Sequence, residues 1–297
     1  MIARIWLKDK INIYLIERQL LIVLVWPTAR PLAVRSLRLK YEVAEAPNGV
    51  IGEAKVQVRM VGATDVGRRR KNNQDSLYYD EAAGFGIVAD GIGGHSGGEV
   101  ASSMVVSGLR KAFLGSDRIR HEEVAPFLSS AIDKMNMEVI ERGRREREIA
   151  GMGTTLNCLM FVGDTLHLAH VGDSRTYMYY KKHIFQLTLD HSVANFLERG
   201  WLPKSAVQPG AKDGALVRAM GLAERVDIDI YEVPLKSGQI FITCSDGLSG
   251  MVEDRKIAQL ITENLDRFES LPKILIDAAN AAGGRDNITV LVSHVRG

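Results

Sequence analysis

Residues 86–95 read GIVADGIGGH. An apolar run, Gly86-Ile87-Val88-Ala89, drives into a carboxylate at Asp90 and then into a loop of small residues that closes at His95. A short apolar run bounded by turn residues reads as a buried strand. A charge at the end of such a strand is costly unless something of opposite sign meets it. The arrangement recurs along the chain. Asp173 ends the strand-like LHLAHVGD, and Asp246 ends IFITCSD. Asp286 stands in GGRDN directly before the last apolar run, and Asp75 in KNNQD precedes another.

One Asp beside Gly or Ser is a cap or a turn residue. Several, drawn from distant parts of the chain, would repel one another if their strand ends converge, unless a cation sits among them. Oxygen donors without cysteine and with little histidine suit Mg2+ or Mn2+ rather than zinc. Gly91 lets a backbone carbonyl approach such an ion, and Gly93-Gly94 leave room for water and an incoming substrate.

Outward from this stretch, KVQVRMVGATD (55–65) alternates as a strand does, and FGIVAD (85–90) is a second strand. Residues 97–114 carry Val100, Met104, Val105, Leu109 and Phe113 at helical spacing. Residues 122–148 read as a second helix with a charged, solvated end. Strands follow in series, TTLNCLMFV, TLHLAHVGD and RTYMYYKKHIFQLT, joined by short turns and expected to form an antiparallel meander. A polar stretch with a Pro/Gly loop, about 190–222, reads as a surface flap. The chain closes with strand QIFITCSD, helices over 254–264 and 271–282, and strand NITVLVSHV. Strands mixed with pairs of helices, without strict βαβ alternation, indicate an α+β fold or a layered sandwich with helices outside.

The 297 residues carry a net charge of +2, distributed unevenly. Residues 1–40 hold eight Lys/Arg against two Asp/Glu, leaving the rest at −4. With EAPNGVIGEA (45–54) as a linker, residues 1–54 read as a basic, loosely attached extension and 55–297 as the main domain. The apolar QLLIVLVWP (19–27) is too short to span a membrane. Its basic surroundings suggest weak association with anionic lipid at most. Cys158 and Cys244 each lie inside apolar runs and read as core thiols of a protein in a reducing cytoplasm.

The segments TDVGRRRKNNQD, ADGIGGH, GMGTT, HVGDSR, LDHS, VRAMG, CSDGL and GGRDNITV occur in the order found in metal-dependent protein phosphatases of the PP2C (PPM) type. Over residues 55–297 the chain resembles the compact bacterial branch of that family. The resemblance implies a four-layer α-β-β-α sandwich of two antiparallel sheets flanked by helices. It also implies hydrolysis of phosphoserine and phosphothreonine in proteins by a water bridging two Mn2+ or Mg2+ ions. By it, Asp90 bridges both ions, the Gly91 carbonyl holds one, and Asp246 and Asp286 complete the other's shell. Asp173, with Asp246, matches the acidic positions of a third, weaker ion in bacterial members. Asp75 orients a water, and Arg70 holds the substrate phosphate. The implied partners are phosphorylated proteins and an opposing Hanks-type kinase.

The chain departs from the family in places. Ile92 stands where some branches carry a histidine proposed as general acid, so His95 becomes the candidate, with a structural hydrogen bond as its alternative role. His191 is expected to anchor the segment before the flap. Gln74 replaces a common Glu, which makes one water-mediated metal contact neutral. As a nucleotide loop GIGGHSGG fails, because Ser96 stands where the third Gly of G-x-G-x-x-G belongs and no Walker lysine follows. A divalent-metal nuclease would need a basic groove, which the acidic balance of 41–297 opposes. An inactive regulatory module of the same fold would have lost one of the acidic positions, all of which are present.

Overall fold

The computed structural model describes residues 57–93, 96–116, 119–207 and 210–297, together with the backbone of three N-terminal strands. These strands are β1 (Arg4–Leu7), β2 (Ile11–Ile16) and β3 (Gln19–Pro27). Next come β4 (Gln57–Asp65), β5 (Asp75–Asp80) and β6 (Phe85–Ile92), followed by helices α1 (Gly97–Leu114) and α2 (His121–Arg145). The short β7 (Gly153–Thr154) leads into β8 (Leu156–Val162), β9 (Thr165–Val171), β10 (Arg175–Tyr180) and β11 (His183–Gln186). Helix α3 (Val193–Glu198) lies in the flap. Then follow β12 (Asp229–Pro234), β13 (Ile240–Cys244), helices α4 (Asp246–Ser249), α5 (Asp254–Glu263) and α6 (Leu271–Ala281), and β14 (Ile288–Arg296).

Two antiparallel sheets result. One runs β1-β2-β3-β12-β9-β8-β6-β5, with β7 on β6; the other runs β11-β10-β13-β14-β4. The layers follow from side-chain alternation. Along β6, Phe85, Ile87 and Ala89 pack outward among Val105 and Leu109 of α1 and Leu128 and Ile132 of α2. Val88, between them, points the other way and meets Met60 and Leu291 of the second sheet. On that sheet's outer face Tyr177, Ile242 and Val290 pack with Ile257 of α5 and Leu275 of α6. The fold is therefore the expected four-layer α-β-β-α sandwich.

Three expectations need correction. The series β8, β9, β10 is not a single meander, because β9 belongs to the first sheet and β10 to the second. The chain changes sheets over Gly172-Asp173-Ser174, where Gly172 has a φ of 109° that side chains seldom adopt. Residues 175–188 are not one strand but a hairpin, whose turn residues Lys181 and Lys182 take φ values of 50° and 63° without the usual Gly or Asn. The N-terminal extension contributes strands: β3 pairs with β12, from Leu24 opposite Glu232 to Pro27 opposite Asp229. Among the described residues no helix is long and apolar enough to cross a membrane.

Candidate metal and catalytic centre

Register brings the strand-end carboxylates to one edge of the sandwich. Asp75 opens β5 directly opposite Asp90 near the end of β6. The end of β13 lies beside the starts of β10 and β14, through the pairs Cys244–Arg175 and Cys244–Val290. Asp246 follows β13, Asp286 precedes β14, and Asp173 sits in the crossing between sheets. The five groups come from both sheets and feel one another's charge.

The backbone around Asp90 is pinned tightly. Its N–H donates to Thr155 Oγ1 at 2.9 Å, and its carbonyl accepts from the Thr155 N–H and the Thr154 hydroxyl, each at 2.9 Å. The next residue tolerates no side chain, for a Cβ on Gly91 would lie 2.2 Å from the Gly98 carbonyl oxygen and 2.5 Å from that of Gln74. The start of α1 thus packs backbone to backbone against the loop that follows Asp90.

Burial first, then the Asp246 and Asp286 charges, push the Asp75 carboxyl up to about 6 despite the hydroxyls of Thr289 and Ser245. Burial and then Asp75 push Asp90 well above the carboxylate range. Burial, Asp246 and Asp190 raise Asp173 to about 7, and burial and Asp286 raise Asp246. Asp75 Oδ2 accepts from Ser245 Oγ at 2.7 Å, while Asp75 Oδ1 and Asp246 Oδ1 are buried without a partner. Crowded acids with orphaned oxygens are chemistry that a hard divalent cation completes, with carbonyls and waters filling out its shell. Among the described residues no group of three His, Cys, Asp or Glu side chains is already gathered closely enough to hold a metal ion.

Arg70 bonds Asp286 Oδ2 at 2.6 Å through Nη2 and remains half-exposed. It therefore stands at the rim, already paired with an acid rather than waiting free for a phosphate. His95 lies outside the described residues. Gln74 passes close to Asp90, its carbonyl accepting the Gly91 N–H at 3.1 Å.

Sequence reading missed the residues that hold this set. The Asn287 side chain accepts the Gln74 N–H at 2.9 Å and donates to the carbonyls of Val66 and Asn72, each at 2.9 Å, which ties the Arg70 loop to the Asp286 loop. Ser245 links Asp75 to β14 through the Thr289 N–H at 3.0 Å. Asp190 forms a two-pronged pair with Arg175 at 2.9 and 2.7 Å. The only local signal for Asn287 and Ser245 is adjacency to an Asp at a strand end.

Residues 65–278 match the family model described as protein phosphatase 2C. The chain is 34% identical over 234 residues to the serine/threonine phosphatase stp of Listeria monocytogenes serotype 4b, spanning 77% of this chain and 92% of that one. Its fold superposes on the serine/threonine phosphatase of S. agalactiae with a TM-score of 0.72 at 32% identity, covering 80% of this chain and 99% of that one. The catalytic domain of the phosphatase PstP, solved in complex with two manganese ions, gives a TM-score of 0.70 at 28% identity over 82% of this chain and 100% of that one.

Proposed function

The chain belongs to the protein phosphatase 2C family of metal-dependent serine/threonine phosphatases, and we propose that its edge cluster of carboxylates is where phosphoserine and phosphothreonine of protein substrates are hydrolysed. One observation carries this assignment: Asp75, Asp90, Asp173, Asp246 and Asp286, from both sheets, crowd one edge with buried oxygens left unpartnered.

Asp90, the Gly91 carbonyl, Asp246 and Asp286 are the groups that would hold the two core ions, Asp90 serving both, and Asp173 with Asp246 would hold a third. The chemistry supplied by bound Mn2+ or Mg2+ is Lewis acidity, which neutralises charge on phosphoryl oxygens and lowers the pKa of water. Asp75 keeps Oδ2 on Ser245 and leaves Oδ1 buried without a partner, the oxygen that would accept a proton and orient water for in-line attack. Arg70 exchanges part of its bond with Asp286 for the phosphate oxygens, a fork geometry that suits a phosphoryl group. His95 is the candidate donor of a proton to the departing serine or threonine oxygen. Both thiols are buried, and burial pushes Cys244 up to about 12, so the reaction uses no cysteine nucleophile.

Residues 55–297 form the catalytic domain, with the 190–222 flap reading the substrate protein. An opposing Hanks-type kinase in a bacterial cytoplasm fits a phosphatase whose relatives are bacterial. Phosphate release from phosphoserine, phosphothreonine and phosphotyrosine peptides with Mn2+ tests the reading. Turnover of the first two is expected. Turnover of phosphotyrosine alone, or of none, would contradict it.

A further inference from the structure

The loop that carries Asp173 is gripped on one side by His191 and on the other by Asn157, which His170 holds in turn, and the proposed chemistry uses neither histidine. On one side His191 clamps Gly172 twice. The His191 backbone N–H donates to the Gly172 carbonyl at 2.7 Å, and the Gly172 N–H donates to His191 Nδ1 at 3.0 Å. Gly172 itself has no room for a side chain, because a Cβ would lie 2.6 Å from Thr155 Cγ2. On the other side Asn157 donates through Nδ2 to the Ser174 carbonyl at 3.2 Å, and its Oδ1 bonds His170 Nδ1. His170 Nε2 in turn holds the Leu189 carbonyl at 2.9 Å, and the two imidazoles pack with centroids 4.6 Å apart. Both rings are buried.

The tautomer of His191 follows from its partners. Nδ1 accepts from an amide, so the neutral ring carries its proton on Nε2 and donates it to Asp229 Oδ2 at 3.1 Å. Asp229 Oδ1 accepts from Arg218 Nη1 at 3.1 Å. His191 and Arg218 therefore come from opposite ends of the flap and meet on one carboxylate of β12. The Val217 N–H donates to the His191 carbonyl at 2.7 Å and closes the same ring of chain.

We propose that His191, oriented by Asp229, is a positioning residue that holds the Gly172-Asp173-Ser174 crossing in the geometry its cation requires, and so joins the base of the flap to that site. The inference rests on the assignment of Asp173 as an ion ligand. Loss of a group that orients a metal ligand from behind typically costs about 10–100-fold in metal affinity or activity. Here His191 would act on the ligand's loop through the Gly172 backbone.

Calorimetric titration of the full chain with Mn2+ alone tests this, with thermal unfolding to confirm that each variant is folded. Asp173→Ala should remove the weakest binding step. His191→Gln keeps an amide near Asp229 but withdraws the acceptor from Gly172, and should weaken that step about tenfold or more. His191→Asn leaves an oxygen where Nδ1 stood and should bind nearly as the wild type does. Asp229→Asn keeps the imidazole but frees its tautomer, so it should weaken the same step and carries the test if His191→Gln does not fold. Wild-type isotherms for both His191→Gln and Asp229→Asn, beside an Asp173→Ala isotherm lacking the weak step, would overturn the positioning role. Equal weakening by Asn and Gln at 191 would overturn it too. An Asp173→Ala isotherm identical to wild type would instead remove the ion site on which the inference rests, and the inference with it.

Discussion

Asp75 and Asp90 face each other directly across the β5–β6 ladder. Like charges at opposed positions of an antiparallel pair destabilise a sheet, and here burial deepens the cost. The proposed cations would relieve that cost. In the metal-free protein the Asp75 carboxyl stands at about 6, above its ordinary 3.8. Its destabilising effect is thus absent at pH 3, grows as pH rises through 4 to 6, and is constant above that. Metal-free Asp75→Asn should be more stable than wild type at pH 8, by about 3 kcal/mol. The two should converge near pH 3.5 in thermal melts, and Mn2+ at pH 8 should raise the wild-type melting temperature more than the variant's. A metal-free variant no more stable than wild type at pH 8 would contradict this.

Gly91→Ala forces a methyl against the carbonyl oxygens of Gly98 and Gln74. Backbone on two sides cannot step aside, so the expected cost is about 3 kcal/mol or more, with hydrolysis lost as the Asp90 loop shifts. Gly108→Ala is the control. Its new methyl meets only the flexible end of Met135, and Ala favours the interior of α1, so its stability should stay within about 1 kcal/mol of wild type. Equal melting temperatures for the two variants would contradict the argument.

His167 is buried, its Nε2 3.1 Å from His121 Nδ1, and burial followed by the His121 charge lowers it to about 4 from 6.5. A histidine held neutral in the fold stabilises it fully above pH 6.5, and that contribution is lost as pH falls through 6.5 toward 4. The penalty of His167→Gln relative to wild type should therefore shrink by about 2 kcal/mol between pH 7.5 and 4.5. Denaturant unfolding at the two pH values measures it, and a penalty independent of pH would count against a neutral His167.

All the proposed ion and phosphate contacts lie at or beyond Arg70, so a chain starting at Gly52 should keep hydrolysis within a few-fold of the full protein. Removal of β3 leaves β12 as a sheet edge, which gives the shortened protein a greater tendency to self-associate. A folded truncation with a large loss of turnover would show that the N-terminal strands take part in the chemistry.

The elements that sequence reading found were those with a strong local period. Helix α1 falls on its expected bounds, and β6 shows the alternation that divides α1 and α2 from the second sheet. The carboxylates were visible because each ends or begins an apolar run. What stayed hidden was long-range or lacked a local mark. Nothing in HVGDSR says that the chain changes sheets at Gly172, and a turn of two lysines carries no glycine to announce it. Strand β12 went unread because Asp229 and Glu232 interrupt its apolar pattern, and Asp229 proves to serve His191 and Arg218. Asn287 and Ser245 act through partners in distant loops, which no local pattern reports.

The central claim is that the acids around Asp90 hold the cations on which hydrolysis depends. Phosphate release from a phosphothreonine peptide, followed against Mn2+ concentration for chelator-stripped wild type and Asp90→Asn, tests it most directly. The stripped wild type should be inactive and regain turnover as Mn2+ is added, whereas Asp90→Asn should stay several orders of magnitude below it even at saturating Mn2+. Turnover by the exhaustively stripped wild type, or near-normal rates for Asp90→Asn, would contradict the account.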